Sequence, residues 1–157
     1  MSFLNDEDPD NICTQEYHSK NTNLYEPLKQ FRDTLGMQSY YYESYFNPKH
    51  NQLLGLATFS KYEAINKGKL KFEGSRSFGI YTDLVVSNDT LRVFNIHLAS
   101  IKLTPADLDF VINAESDNGN NIKNKTTDIY FKLREAYLLR EMQVKYLIKV
   151  LEKTPYK

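Results

Sequence analysis

Apolar positions fall in short blocks over the first two thirds of the chain and in one long stripe at its end. In residues 91–98, Leu-Arg-Val-Phe-Asn-Ile-His-Leu, alternation puts Leu91, Val93, Asn95 and His97 on one face. Phe94, Ile96 and Leu98 take the other. A run apolar on both faces belongs inside a layered structure, and this one carries His97 to its far end. Ile80–Ser87 and Thr90–Leu98 form the clearest hairpin, with Asn88-Asp89 at the two central turn positions. Near the N-terminus Asn11-Ile12-Cys13-Thr14-Gln15-Glu16 is a second strand, running apolar and then ending in a carboxylate. Residues 38–46 favour a strand because aromatics suit a half-buried pleated surface. Asn47 to Gln52 reads as a polar turn, Leu53–Phe59 as a buried strand, and Ile65–Lys69 as a turn into Leu70–Phe72.

Helical spacing appears in three places. Asn23 to Leu35 has Leu24, Leu28 and Phe31 on one side and Gly36 as a stop. Thr104-Pro105-Ala106-Asp107 has the form of a helix start: a hydroxyl cap, proline in the first turn and a carboxylate at the third helical position. From Glu115 to Thr127 the chain is polar and asparagine-rich, with Gly119 between Asn118 and Asn120, which predicts a solvated loop. The last helix runs from about Ile129 to Lys153. Leu133, Ala136, Tyr137, Arg140, Val144, Leu147, Ile148 and Leu151 lie on its stripe. No internal repeat is present. The order of strands, hairpin and helices argues for a mixed α/β architecture with sheets covered by helices.

Composition changes this picture only a little. The 157 residues fit a single domain, read as 1–157. Twelve Tyr and nine Phe without a Trp predict a tyrosine-heavy core. Twenty basic and twenty acidic residues cancel, so no global field draws in nucleic acid. The one cysteine, Cys13, cannot form an internal disulfide and is expected to be buried in its strand. No signal peptide or membrane span is evident. No Gly-rich phosphate loop, nucleophilic triad or cysteine-based metal cluster occurs.

The candidate residues carry two readings each. His97 is either a satisfied core histidine or a donor at a strand end. Asp83, in mid-strand, is either a carboxylate supporting a site or a buried ion-pair partner. The tyrosines of 38–46 either pack the core or stack on bases or sugar rings. Ser60 and Lys61 either cap a turn or touch substrate. His18 and His50 read as surface residues, and Arg140 as a hydrogen-bonding anchor on its helix.

Four segments taken together resemble the endonuclease/exonuclease/phosphatase superfamily, the deoxyribonuclease-I-like metal-dependent phosphodiesterases. Asp8-Pro9-Asp10-Asn11-Ile12-Cys13-Thr14-Gln15-Glu16 is similar to the family's "pDIIcLQE" segment. Gly55-Leu56-Ala57-Thr58-Phe59-Ser60-Lys61-Tyr62 resembles "GlaifSrYP", with Lys61 for Arg and Glu63 for Pro. Tyr81-Thr82-Asp83-Leu84 followed by Thr90–Ser100 resembles the "ytDi…tvrvyNtHLqS" hairpin, and Arg140-Glu141-Met142-Gln143 the "RxxQ" helix.

The resemblance implies a partial four-layer α/β/β/α sandwich with mixed, mainly antiparallel sheets. Glu16 would be the ligand of Mg²⁺ or Mn²⁺, a hard cation that keeps several waters. His97 and Asn95 would be catalytic, with His97 donating to a phosphate oxygen. Arg76 or Ser77 would contact the phosphate, and Asp83 and Arg140 would support the site from behind. The family's N-terminal Asn strand and its "GDfN" and "SDH" segments have no counterpart in this sequence, so the chain is expected to be the middle portion of a catalytic domain. The expected function is a metal-dependent phosphoester hydrolase (phosphodiesterase, nuclease or phosphatase), weak or inactive as this chain alone. The alternative is a non-catalytic binding module or an inactive fragment of such an enzyme. The substrate would be nucleic acid or a smaller phosphoester or lipid headgroup; neutrality favours the smaller ones, because a duplex-binding nuclease more often has a basic face. Exposed sheet edges predict association between copies. The compartment stays open between cytoplasm and a membrane reached through upstream segments.

Overall fold

The structure, a computed structural model, describes residues 2–20, 25–47, 52–113 and 121–156. They fall into two compact units, Met1–His97 with Lys153–Lys157, and Leu98–Glu152. The first unit contains α1 (Ser2–Glu7), β1 (Asn11–Lys20), α2 (Tyr25–Thr34), β2 (Ser39–Asn47), β3 (Gln52–Ser60), β4 (Glu63–Lys71), β5 (Phe78–Val86) and β6 (Asp89–Ile96). Its strands make two antiparallel three-stranded sheets, ordered β1-β3-β2 and β4-β5-β6.

Period-two alternation along β3 divides its side chains between two cores. Ala57 and Phe59 join Ile12, Leu28 and Met37 on the side of α2, where the Phe31 ring lies 4.6 Å from that of Phe59. Leu56 instead meets Phe78 and Ile80 of the second sheet, with Tyr41 and Tyr45 packed against them. Helix on sheet on sheet is therefore the layering of this unit, an α/β sandwich. The tyrosine-rich run packs these cores, Tyr40 and Tyr42 on one side and Tyr41 and Tyr45 on the other. Helix α2 stops where expected. Gly36 adopts φ 63, while Met37 N donates to Arg32 O and Gly36 N to Asp33 O in a Schellman cap.

On the outer face of the second sheet Asp83 is fully buried and held by Arg92, at 2.5 Å from Nε to Oδ1 and 2.7 Å from Nη2 to Oδ2. Asn66 donates to the same carboxylate at 3.0 Å. The Arg92 guanidinium lies over the rings of Tyr81 and Tyr156, at 4.3 and 5.4 Å. Asp83 is thus an ion-pair partner, and these bonds hold its carboxyl below the usual carboxylate range.

The second unit holds α3 (Pro105–Asn113) and α4 (Asn121–Glu152). Thr104 and Asp107 form the predicted cap: Asp107 N donates to Thr104 Oγ1 at 3.2 Å and Thr104 N to Asp107 Oδ2 at 2.7 Å. Arg140 Nε donates to Ala99 O at 2.8 Å, and Gln143 Oε1 accepts from Ala99 N at 2.9 Å, so α4 clamps both polar groups of one residue.

Several sequence expectations are corrected. Residues 65–69 do not turn; β4 continues through them with a register shift at Ile65, and Gly68 lies beneath the Tyr81 ring, where a Cβ would lie 2.5 Å from Cε1. The hairpin turns at Ser87-Asn88, one residue earlier than expected, because Ser87 takes the left-handed φ (57) and Val86 pairs with Asp89. Leu91 is exposed rather than buried. Helix α4 begins at Asn121, inside the expected loop, since extending a formed helix costs little even through a polar run. Its buried seam is Ile129, Ala136 and Gln143, and Tyr137, Val144, Ile148 and Leu151 are exposed beside it. Cys13 is exposed on β1, at the border of its sheet.

Candidate active site

Strand β1 does not end at Glu16, as the sequence suggested; it bulges there and continues to Lys20. Thr14 pairs with Ala57 and Tyr17 with Gly55, so two residues of β1, Gln15 and Glu16, stand opposite Leu56 alone. Glu16 takes φ 53, a conformation L residues rarely adopt. In an unbroken strand, consecutive side chains point to opposite faces. Here both reach the C-terminal end of β6: Gln15 Nε2 donates to Ile96 O at 2.7 Å, and Glu16 Oε1 lies 3.2 Å from Nε2 of His97, the residue after the strand.

Asn95 lies behind this pair and is only 2% exposed. Its Nδ2 donates to Thr14 O and Ala57 O, both at 3.1 Å, joining the two sheets beside the bulge. Its Oδ1 has no hydrogen-bond partner among the described residues. His97 N donates to Phe78 O at 3.1 Å, which places the connection holding Arg76 and Ser77 at the same sheet end. Arg76 is exposed there, and Ser77 N donates to Ser75 Oγ.

The structure therefore brings together Glu16 and His97, backs them with Asn95, and puts Arg76 and Ser77 at the same end. Asp83 lies apart, paired with Arg92 farther along the hairpin. Arg140 belongs to the second unit and is spent on Ala99. Ser60 and Lys61 serve the turn: Ser60 Oγ donates to Asn11 Oδ1 and accepts from Tyr62 N, while Lys61 Nζ pairs with Asp8 at 2.6 Å. The Asp8 bond raises the Lys61 ammonium above its ordinary value. The His18 side chain and His50 lie outside the described residues. Sequence reasoning missed the part played by Gln15. The sign of it in the sequence is the polar run Thr14-Gln15-Glu16, where the strand stops alternating and two long polar side chains follow one another, which a bulge accommodates.

Among the described residues no group of three or more His, Cys, Asp and Glu side chains is placed to hold a metal ion. Glu16 offers hard oxygens on a side chain that is 66% exposed. One such carboxylate is the smallest donor set that Mg²⁺ accepts when it keeps its waters and binds a substrate phosphate. The residues fit the ion at that minimum.

No family model matches the sequence, and no curated protein matches it. Solved structures do. An endonuclease/exonuclease/phosphatase from Beutenbergia cavernae DSM 12333 aligns with a TM-score of 0.55 at 13% identity, over 65% of this chain and 32% of that one. The fold is that of the endonuclease/exonuclease/phosphatase proteins. A family protein from Leptotrichia buccalis C-1013-b aligns with a TM-score of 0.51 at 9% identity, over 75% of this chain and 54% of that one. The chain thus spans about a third to a half of the endonuclease/exonuclease/phosphatase structures it matches. Among the described residues no helix is long and apolar enough to cross a membrane.

Proposed function

We propose that the chain carries part of the active site of a metal-dependent phosphoester hydrolase, of the phosphodiesterase, nuclease or phosphatase kind. One observation carries this reading: a strained bulge in one sheet sets the Glu16 carboxylate 3.2 Å from an imidazole that ends the other sheet. A left-handed non-glycine residue costs stability, and such outliers gather at functional sites.

Glu16 would hold the cation. When bound, Mg²⁺ or Mn²⁺ supplies Lewis-acid polarisation of the phosphate. His97 donates a hydrogen bond to a phosphate or leaving oxygen, stabilising charge as the ester bond breaks. Arg76 and Ser77 contact the phosphate from the neighbouring connection. Asn95, buried and joined to two carbonyls, acts on the site by position. The net charge of zero favours a small phosphoester or a lipid headgroup over duplex nucleic acid.

The test is hydrolysis of bis(p-nitrophenyl) phosphate by the purified chain with Mg²⁺, Mn²⁺ or EDTA, beside Glu16→Gln and His97→Ala. Slow turnover that needs metal and disappears in both variants is expected. Rates equal in all three proteins would overturn the catalytic reading and favour a binding module.

A further inference from the structure

We infer that Gln15 is a positioning residue: its side-chain amide ties the β1 bulge to the end of β6 and so holds the Glu16 carboxylate against His97. The inference deepens the proposed function, but its geometric part can be tested without any activity.

Strands β1 and β6 belong to different sheets, and no ladder of backbone hydrogen bonds joins them. At the bulge, side chains supply the connection instead. Asn95 Nδ2 reaches across to Thr14 O at 3.1 Å, just before the bulge. Gln15 Nε2 reaches the other way to Ile96 O at 2.7 Å, within the bulge. The two bonds run in opposite directions and fasten the residues on the N-terminal side of Glu16 to the residues just before His97. Glu16 itself sits at φ 53, a conformation its own backbone does not favour. The Glu16 side chain is largely solvent-exposed, so packing does not fix it. What keeps carboxylate and imidazole together is therefore the fastening beside them.

Asn95 is buried between the sheets, and replacing it would disturb the core. Gln15 is exposed, so its substitution isolates the effect on position. Gln15→Met keeps the length of the side chain and removes the donor; Gln15→Lys restores a donor at similar reach. The first measurement is by NMR on the full chain without metal: the nuclear Overhauser contact between the Glu16 γ-protons and the His97 ring, and amide exchange at Glu16 and Tyr17. In Gln15→Met the contact should vanish and exchange should quicken about ten-fold, with the melting temperature little changed and Gln15→Lys returning toward the parent. An unchanged contact and an exchange rate within two-fold of the parent would overturn the inference.

The second measurement is Mn²⁺ affinity, which Gln15→Met should weaken by roughly ten-fold, as loss of groups supporting a metal ligand does. A parent chain that shows the Glu16–His97 contact yet binds no Mn²⁺ would overturn the proposed function and leave the positioning role intact. Equal affinity in parent and Gln15→Met would overturn the positioning role alone.

Discussion

Arg92→Leu would leave Asp83 fully buried and deprived of its guanidinium. Asp83 is 0% exposed, and two of its hydrogen bonds, at 2.5 and 2.7 Å, come from Arg92. The bond from Asn66 remains, but a neutral amide does not balance a buried charge. Removing one partner of such a pair costs about 3–5 kcal/mol, which for a chain of this size lowers the melting temperature by roughly 6–20 °C. The pH dependence adds a second signature. In the parent, the folded Asp83 carboxyl titrates below its unfolded value, so the stability it contributes is complete above about pH 3.9 and lost as pH falls through the folded value. In Arg92→Leu burial is opposed only by the neutral donors Asn66 and Tyr156, and the folded value moves upward. The deficit is then largest at neutral pH and narrows as pH falls toward 4. Urea unfolding at pH 7 and pH 4.5 reads both effects. The double variant Asp83→Leu/Arg92→Leu should recover part of the loss, because an apolar pair replaces a charge without a partner. A deficit under about 1 kcal/mol at pH 7, or one that does not change with pH, would refute this reasoning.

Other substitutions probe the remaining layers. Leu56→Ala, in the inter-sheet core, should cost about 2–5 kcal/mol in urea unfolding. Gly55→Ala would drive a Cβ into the Glu43 carbonyl oxygen, and should cost about 1–3 kcal/mol. Glu16→Gly should raise stability by about 1 kcal/mol, by relieving the left-handed backbone, while removing the proposed metal ligand. Thr104→Ala should cost about 1 kcal/mol through the lost cap of α3. Asp107 belongs to the same cap and titrates at about 2, held there chiefly by Lys132. Its contribution is present above about pH 3.9 and lost as pH falls through 2, which circular dichroism would follow.

The elements legible in the sequence were those whose local and tertiary preferences agree. Strand β3, the β5–β6 hairpin, α2 with its Gly36 stop and the capped start of α3 each obey a short-range rule that packing then reinforces. The features that escaped it depend on a distant partner. Gly68 looks like a turn residue until the Tyr81 ring is known to cover it. Thr127 and its polar neighbours look like loop until they are seen to extend α4, with Thr127 Oγ1 bonded to Lys123 O. The seam of α4 differs from the stripe because Gln143 faces inward to hold Ala99, a use that hydrophobic spacing does not register, whereas Arg140, read as an anchor on the stripe, bonds the same residue. At the site, the family resemblance is what groups Glu16 with His97, since β1 does not end at Glu16 but runs on to Lys20. The bulge that aims Glu16 is set by register against β3, which residue type alone does not specify.

Paramagnetic broadening by Mn²⁺, in the parent chain and in Glu16→Gln, decides whether Glu16 holds the cation. Substoichiometric Mn²⁺ is expected to broaden the resonances of Glu16, Tyr17 and His97 first, and Glu16→Gln to abolish this selectivity. Broadening centred on Asp8 and Asp10, or a pattern unchanged in Glu16→Gln, would contradict it.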